Sequence, residues 1–151
     1  MRRGLKILVA YDGSIQADHA LTEAITLAQE LTGSVTLLQV QDAVSEALEA
    51  AREFSTMYTL LKVHGTETSL ADSKPLLHIK DQELWSSGVP YEIREAVTTN
   101  IPQRIVQVAS EESFDLIAMG TRGLGGAKAW LLGSVSQRVI TEAPCPVLVV
   151  K

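Results

Sequence analysis

Four short, mainly apolar runs and one charged, alternating run are separated along the chain by segments in which apolar residues recur every three or four positions. Residues 6–10 (KILVA) are apolar beyond the opening lysine, the pattern of a strand buried on both faces of a parallel sheet. Ser14 then offers an N-cap. Ala17, Ala20, Leu21, Ala24, Ile25, Ala28 and Leu31 follow at helical spacing, and Gly33 marks the stop. Residues 35–40 form the second run. This opening β-α-β unit predicts a right-handed crossover between parallel strands.

The middle is less regular. Ala47, Ala50, Ala51, Phe54, Tyr58 and Leu61 predict a helix over residues 43–62. Residues 65–69 are polar, and Pro75 opens a second short helix. In it Leu76, Ile79, Leu84 and Trp85 are the expected packing residues and Gly88 the terminator. One long helix broken between Gly65 and Pro75 is the alternative. Residues 91–97 alternate imperfectly and carry charges, which suits the edge of a sheet better than its centre. Asn100 caps the next helix, with Pro102 in its first turn and an apolar face of Ile101, Ile105, Val108 and Ala109. Residues 115–119 are the fourth strand. A helix through Val135, Val139, Ile140 and Ala143 ends at Pro144-Cys145-Pro146, and residues 147–150 close the chain as a strand. The order β-α-β-α(α)-β-α-β-α-β predicts an α/β fold: a three-layer sandwich around a five-stranded, mostly parallel sheet, with residues 1–151 as one domain.

Composition narrows the function classes. With 151 residues, 46% of them hydrophobic and 21% charged, the chain can bury a core. A net charge of −5 argues against a general nucleic-acid surface. The lone Cys145 cannot form an internal disulfide, which fits a reducing compartment. Arg2 and Arg3 precede an apolar run too short for a signal sequence or a membrane span. The expected location is cytoplasmic, with no membrane partner.

The candidate chemistry lies in residues 120–136, GTRGLGGAKAWLLGSVS, between the fourth strand and a helix start. A strand, a glycine-rich loop and a helix N-terminus in that order suit an anion, because glycine lets the backbone approach closely and the helix start offers unpaired N–H groups. The turn at residues 11–14 also follows a strand, so both loops are candidates for one ligand edge. Catalytic signatures are missing: neither G-x4-G-K-[S/T] nor G-x-S-x-G occurs. His19, His64 and His78 have no ligand-spaced partners, so no metal site is expected. Cys145, between two prolines, reads as a small buried residue. Glu111 and Glu112 read as a solvated helix end. Trp130, Leu131 and Leu132 read as packing or interface residues.

Two residues separate Gly120 from Gly123, and nine separate Gly123 from Gly133-Ser134. This spacing resembles the G-x2-G-x9-G-[S/T] loop of the ATP-binding branch of the universal stress protein family. Residues 7–14 (ILVAYDGS), 37–40 (LLQV) and 143–150 (APCPVLVV) resemble that family's first strand and aspartate turn, second strand and closing strand. The resemblance implies a Rossmann-like fold and an adenine-nucleotide site. Asp12 would lie near ribose and phosphates, Ala10 would support the adenosine, and Val40 would meet the adenine. Met119 and Gly120 would line the adenosine side, while Arg122, Gly123, Gly133, Ser134, Val135 and Ser136 would hold the phosphates. Lys128 is a further candidate if its loop covers the ligand. The ligand implied is ATP, with ADP or AMP as alternatives and Mg through Asp12 as a phosphate-bound ion. The family also implies a homodimer through the terminal strand. The functional expectation is a nucleotide-dependent switch; a nucleotide-independent interaction module and a slow ATPase are the rivals.

Overall fold

Strands without polar interruption need cover on both faces, and the helical segments supply it. The computed structural model describes residues 3–64, 75–121 and 132–151, apart from the side chains of 57–64 and 75–78. The elements are β1 (Lys6–Tyr11), α1 (Ile15–Glu30), β2 (Ser34–Asp42), α2 (Ala43–His64), α3 (Pro75–Ser87), β3 (Tyr91–Thr98), α4 (Ile101–Glu111), β4 (Leu116–Gly120), α5 (Ser134–Glu142) and β5 (Val147–Val150). The expected break between residues 65 and 74 lies outside the described residues.

The sheet order is β3-β2-β1-β4-β5, and each neighbouring pair is parallel. The chain winds outward from β1 to β3, then returns to the other side of β1 for β4 and β5. The winding therefore reverses between β1 and β4, whose registers align Ala10 with Met119. In such sheets the crevice forms beyond the carboxyl ends of those two strands.

Alternating side chains build two cores. Ile7, Val9, Val35, Leu37 and Ala118 pack under α1 and α3, while Leu8, Leu38 and Ile117 pack under α4 and α5. The charged β3 is an edge strand, as its pattern predicts. Its Arg94 pairs with Glu92 at 2.7 Å and with Glu112 at the end of α4. Among the described residues no helix is long and apolar enough to cross a membrane.

The caps follow the sequence. Ser14 Oγ accepts from the Ala17 N–H at 3.1 Å, and Asn100 Oδ1 accepts from the Gln103 N–H at 3.2 Å. The end of α1 differs from expectation by one position. Thr32, not Gly33, is left-handed (φ 54°), and the Gly33 N–H closes the cap on the Ala28 carbonyl at 2.7 Å. A β-branched residue is strained there. Thr32→Gly is accordingly expected to add about 1 kcal/mol of stability, a rise of roughly 3 °C in Tm by calorimetry. A lower Tm would show that the threonine side chain contributes more than its backbone strain costs.

Three packing expectations are corrected. Trp85 and Ile79 face solvent, 77% and 57% exposed, while Leu84 is fully buried. At 100° per residue, Trp85 lies far round the helix from Leu84, and so does Ile79, so one narrow line of contact cannot bury all three. Phe54 is exposed with Val44 and Leu48 on α2. The described part of α2 supplies no residue to either core, because α1, α3, α4 and α5 already cover the sheet. Ile140 is also exposed, whereas Val139 beside it is buried against the sheet.

Candidate functional site

The site begins with the turn that ends β1. Gly13 adopts φ 84°, which lets the chain reverse into α1. Asp12 stabilises that reversal by accepting the Ser14 N–H at 2.9 Å through Oδ1. Asp12 itself is exposed. One of its oxygens shapes the turn while the other remains a candidate acceptor or ion contact.

The second loop is anchored through Thr121. Its N–H donates to the Val150 carbonyl at 2.9 Å, and its own carbonyl accepts from the Gly133 N–H at 2.8 Å. The Ser136 hydroxyl donates to the same carbonyl at 2.9 Å. These bonds draw the start of α5 back to the end of β4. Gly133 is the N-cap of α5 and makes no side-chain cap bond, so the first-turn N–H groups have no capping side chain. Ser134 is exposed at that start, Val135 is half-buried, and Ser136 is buried with its hydroxyl directed to Thr121.

Alternation sets the apolar candidates on one face. Val40 and Met119 are buried in the α4/α5 core, and Ala10 and Val135 pack against it. Ala10 pairs in register with both Leu38 and Met119, which brings the carboxyl ends of β1, β2 and β4 side by side. Gly120, the last residue of β4, touches the first turn of α1. Arg122, Gly123 and Lys128 lie outside the described residues, as do Trp130 and Leu131; Leu132 is exposed.

This donor set fits a nucleotide: an apolar wall suits a flat base, and an uncapped helix start suits an anion. Asp12, on the turn between them, suits a ribose hydroxyl or a phosphate-bound cation. Cys145, expected to be buried, is half-buried against the α4/α5 core. Burial pushes its thiol up, and the Asp115 carboxylate adds to the effect.

A cluster that the sequence does not announce backs the same turn from the α1/α3 side. The Tyr11 hydroxyl donates to Asp18 Oδ1 at 2.6 Å. Lys80 Nζ lies 2.8 Å from that oxygen and 2.8 Å from Glu83 Oε2. Burial, then the Asp18 hydrogen bond, raises the Tyr11 phenol above its usual range. Burial opposes charge on Lys80 and Asp18, but their mutual hydrogen bond, with further bonds from Glu83 and Tyr11, prevails. Lys80 is held above its ordinary value and Asp18 below it. Tyr11 at the end of an apolar strand was the one available signal; nothing in the local sequence ties Lys80 to Asp18.

Comparison with known proteins gives a consistent picture. The model described as the universal stress protein family matches residues 5–151. A universal stress protein of Methanocaldococcus jannaschii is 38% identical over 146 residues, covering 97% of this chain and 81% of that protein. One from Thermus aquaticus is 34% identical, covering 96% and 97%. The universal stress protein UspA structure from Lactobacillus plantarum matches with a TM-score of 0.74 at 24% identity, covering 100% of both chains, and supports the fold. Two further structures of this fold are complexes. One universal stress protein is bound to cAMP (TM-score 0.64, 20% identity, 99% and 98% coverage). One from Archaeoglobus fulgidus is bound to dAMP (TM-score 0.60, 17% identity, 100% of both chains).

Proposed function

Since the chain belongs to the universal stress protein family, we propose that it binds an adenine nucleotide, ATP in the first place, and acts as a nucleotide-dependent switch. The observation that carries this reading is the meeting of Ala10, Asp12, Met119, Gly120 and the start of α5 where the sheet winding reverses. The cAMP and dAMP complexes add support, since both are adenine nucleotides held on this fold.

In this reading the base lies against Ala10, Val40 and Met119, and Asp12 meets the ribose or a phosphate-bound Mg. The N–H groups of Ser134, Val135 and Ser136, together with Gly133, Arg122 and Gly123, hold the phosphates. Ser134 adds its exposed hydroxyl, while the Ser136 hydroxyl keeps Thr121 in place. The ligand shifts a conformational equilibrium by binding one state better than the other. The switch is cytoplasmic, consists of one domain, and works as a homodimer through the β5 edge.

The test is to denature purified protein, identify any released nucleotide, and titrate ATP, ADP and AMP by calorimetry. Binding of at least one is expected; absence of both carried and added nucleotide would sink the reading. Ser134→Ala removes one hydrogen bond and is expected to weaken binding about fivefold. Gly123→Val is expected to weaken it more than tenfold, about 1.4 kcal/mol or above, because a branched side chain blocks close approach of the backbone. Equal affinity in the valine variant would misplace the phosphates.

A further inference from the structure

The cluster behind the turn at residues 11–14 is separate from the wall and helix start assigned to the nucleotide. Tyr11 and Asp18 bracket that turn, and their hydrogen bond joins its two ends across seven positions of chain. Lys80 enters from α3, with its side chain 11% exposed, and its ammonium bonds the same Asp18 oxygen at 2.8 Å. It also stands 5.9 Å from the centre of the Tyr11 ring. One cation from α3 therefore contacts both flanks of the turn that carries Asp12.

The described side chains of α3, residues 79–87, make few apolar contacts. Among its described residues Leu84 alone enters a buried apolar cluster, while Ile79 and Trp85 face solvent. Polar ties from the described residues add to Leu84. Gln29 Nε2 donates to the Ser87 carbonyl at 2.9 Å, and Tyr91 Oη donates to Asp81 Oδ1 at 2.6 Å. An element with few buried apolar contacts opens at lower free energy than the sheet beneath it. Release of residues 79–87 would break the Lys80–Asp18 bond, which joins this segment to the turn.

We propose that α3 is a reversible clasp on the nucleotide site: through Lys80, Asp18 and Tyr11, docking of α3 and nucleotide occupancy of the Asp12 turn favour each other. This rests on the nucleotide reading above. The sign follows from order and charge. A ligand on Asp12 immobilises the turn, so α3 docks on flanks already ordered, at a smaller entropic cost. The Lys80 ammonium also lies behind a turn that faces an anionic ligand. Linkage makes the effect reciprocal, so docked α3 tightens nucleotide binding by the same factor. The exposed Ile79 and Trp85 on the outer face move with the clasp and change what the surface presents.

The experiment is amide hydrogen exchange over residues 79–87 of the full chain, with and without ATP at a concentration shown by calorimetry to saturate it. In the wild type, ATP is expected to slow exchange there about tenfold, within the usual range of coupling between sites. Lys80→Met keeps the aliphatic stem but loses the ammonium. It is expected to abolish that protection and to weaken ATP binding by the same factor of about ten. Lys80→Arg keeps the charge and is expected to restore both, which a purely structural contribution of the lysine stem does not explain. Bound ATP with unchanged exchange in α3 of the wild type overturns the clasp and leaves the nucleotide reading standing. No calorimetric binding in the wild type overturns the nucleotide reading, and the clasp with it. Should Lys80→Met fail to fold, the wild-type comparison decides alone.

Discussion

Leu21→Ala is expected to cost about 4 kcal/mol, toward the upper end for a buried leucine, and to lower the midpoint of thermal unfolding by roughly 12 °C. Leu21 is fully buried on α1. Its neighbours on the buried face are Ala17, Ala20, Ala24, Ala28 and Ile25. That run of alanines brings the helix close to the sheet, and it also leaves Leu21 to fill much of the intervening volume. Small side chains cannot swing into the vacated space, so the cavity stays open and its lining loses contacts. The loss is a large fraction of the stability of an ordinary domain. Leu21→Met is the volume-conserving control and is expected to cost less than about 1.5 kcal/mol. Chemical denaturation of the two variants against wild type measures both. Equal losses in the alanine and methionine variants would show that volume at this position is not what holds α1.

Gly120→Val is expected to lower the midpoint by about 9 °C, equivalent to roughly 3 kcal/mol. A Cβ at Gly120 would lie 2.7 Å from Gln16 Cβ, 2.9 Å from the Gln16 carbonyl carbon and 3.0 Å from the Ala17 nitrogen. Two of these atoms are backbone in the first turn of a helix capped by Ser14, so they cannot step aside as a flexible side chain would. The helix start must move away from β4, and the crevice between β1 and β4 widens with it. The same variant is therefore expected to bind nucleotide more weakly than its stability loss alone predicts, by calorimetry below the unfolding range. A midpoint within 2 °C of wild type, a shift of under about 1 kcal/mol, would show that α1 is free to yield at this point.

Much of this arrangement is legible in the sequence. The apolar run at residues 7–10 suits a strand covered on both faces, and β1 lies at the centre of the sheet. The charges on residues 91–97 required an edge, because a strand with one neighbour can turn polar groups toward water; β3 occupies that edge. The Ser14 and Asn100 caps were readable because capping is local chemistry, settled within three residues. Trp85 and Phe54 misled for the converse reason. Apolar character and helical spacing state that a side chain gains by burial, but they do not state whether a surface stands opposite to bury it. The candidate nucleotide residues were legible as a spacing of glycines and as the ends of strands. That both loops follow strands also marked them for one edge; which two strands flank the crevice was not legible.

The sequence by itself determined the elements, their order, the parallel sense of the first crossover and the residue types able to hold an anion. Each follows from interactions between near neighbours, or from the one-dimensional period of apolar positions. Only the tertiary structure decided that the winding reverses between β1 and β4, that Ala10, Val40, Met119 and Val135 share a face, and that Thr121 draws α5 back to β4. It alone placed Lys80 against Asp18 and Tyr11. Such pairings join residues far apart in the chain, and their energy depends on which surfaces the packed layers leave facing one another.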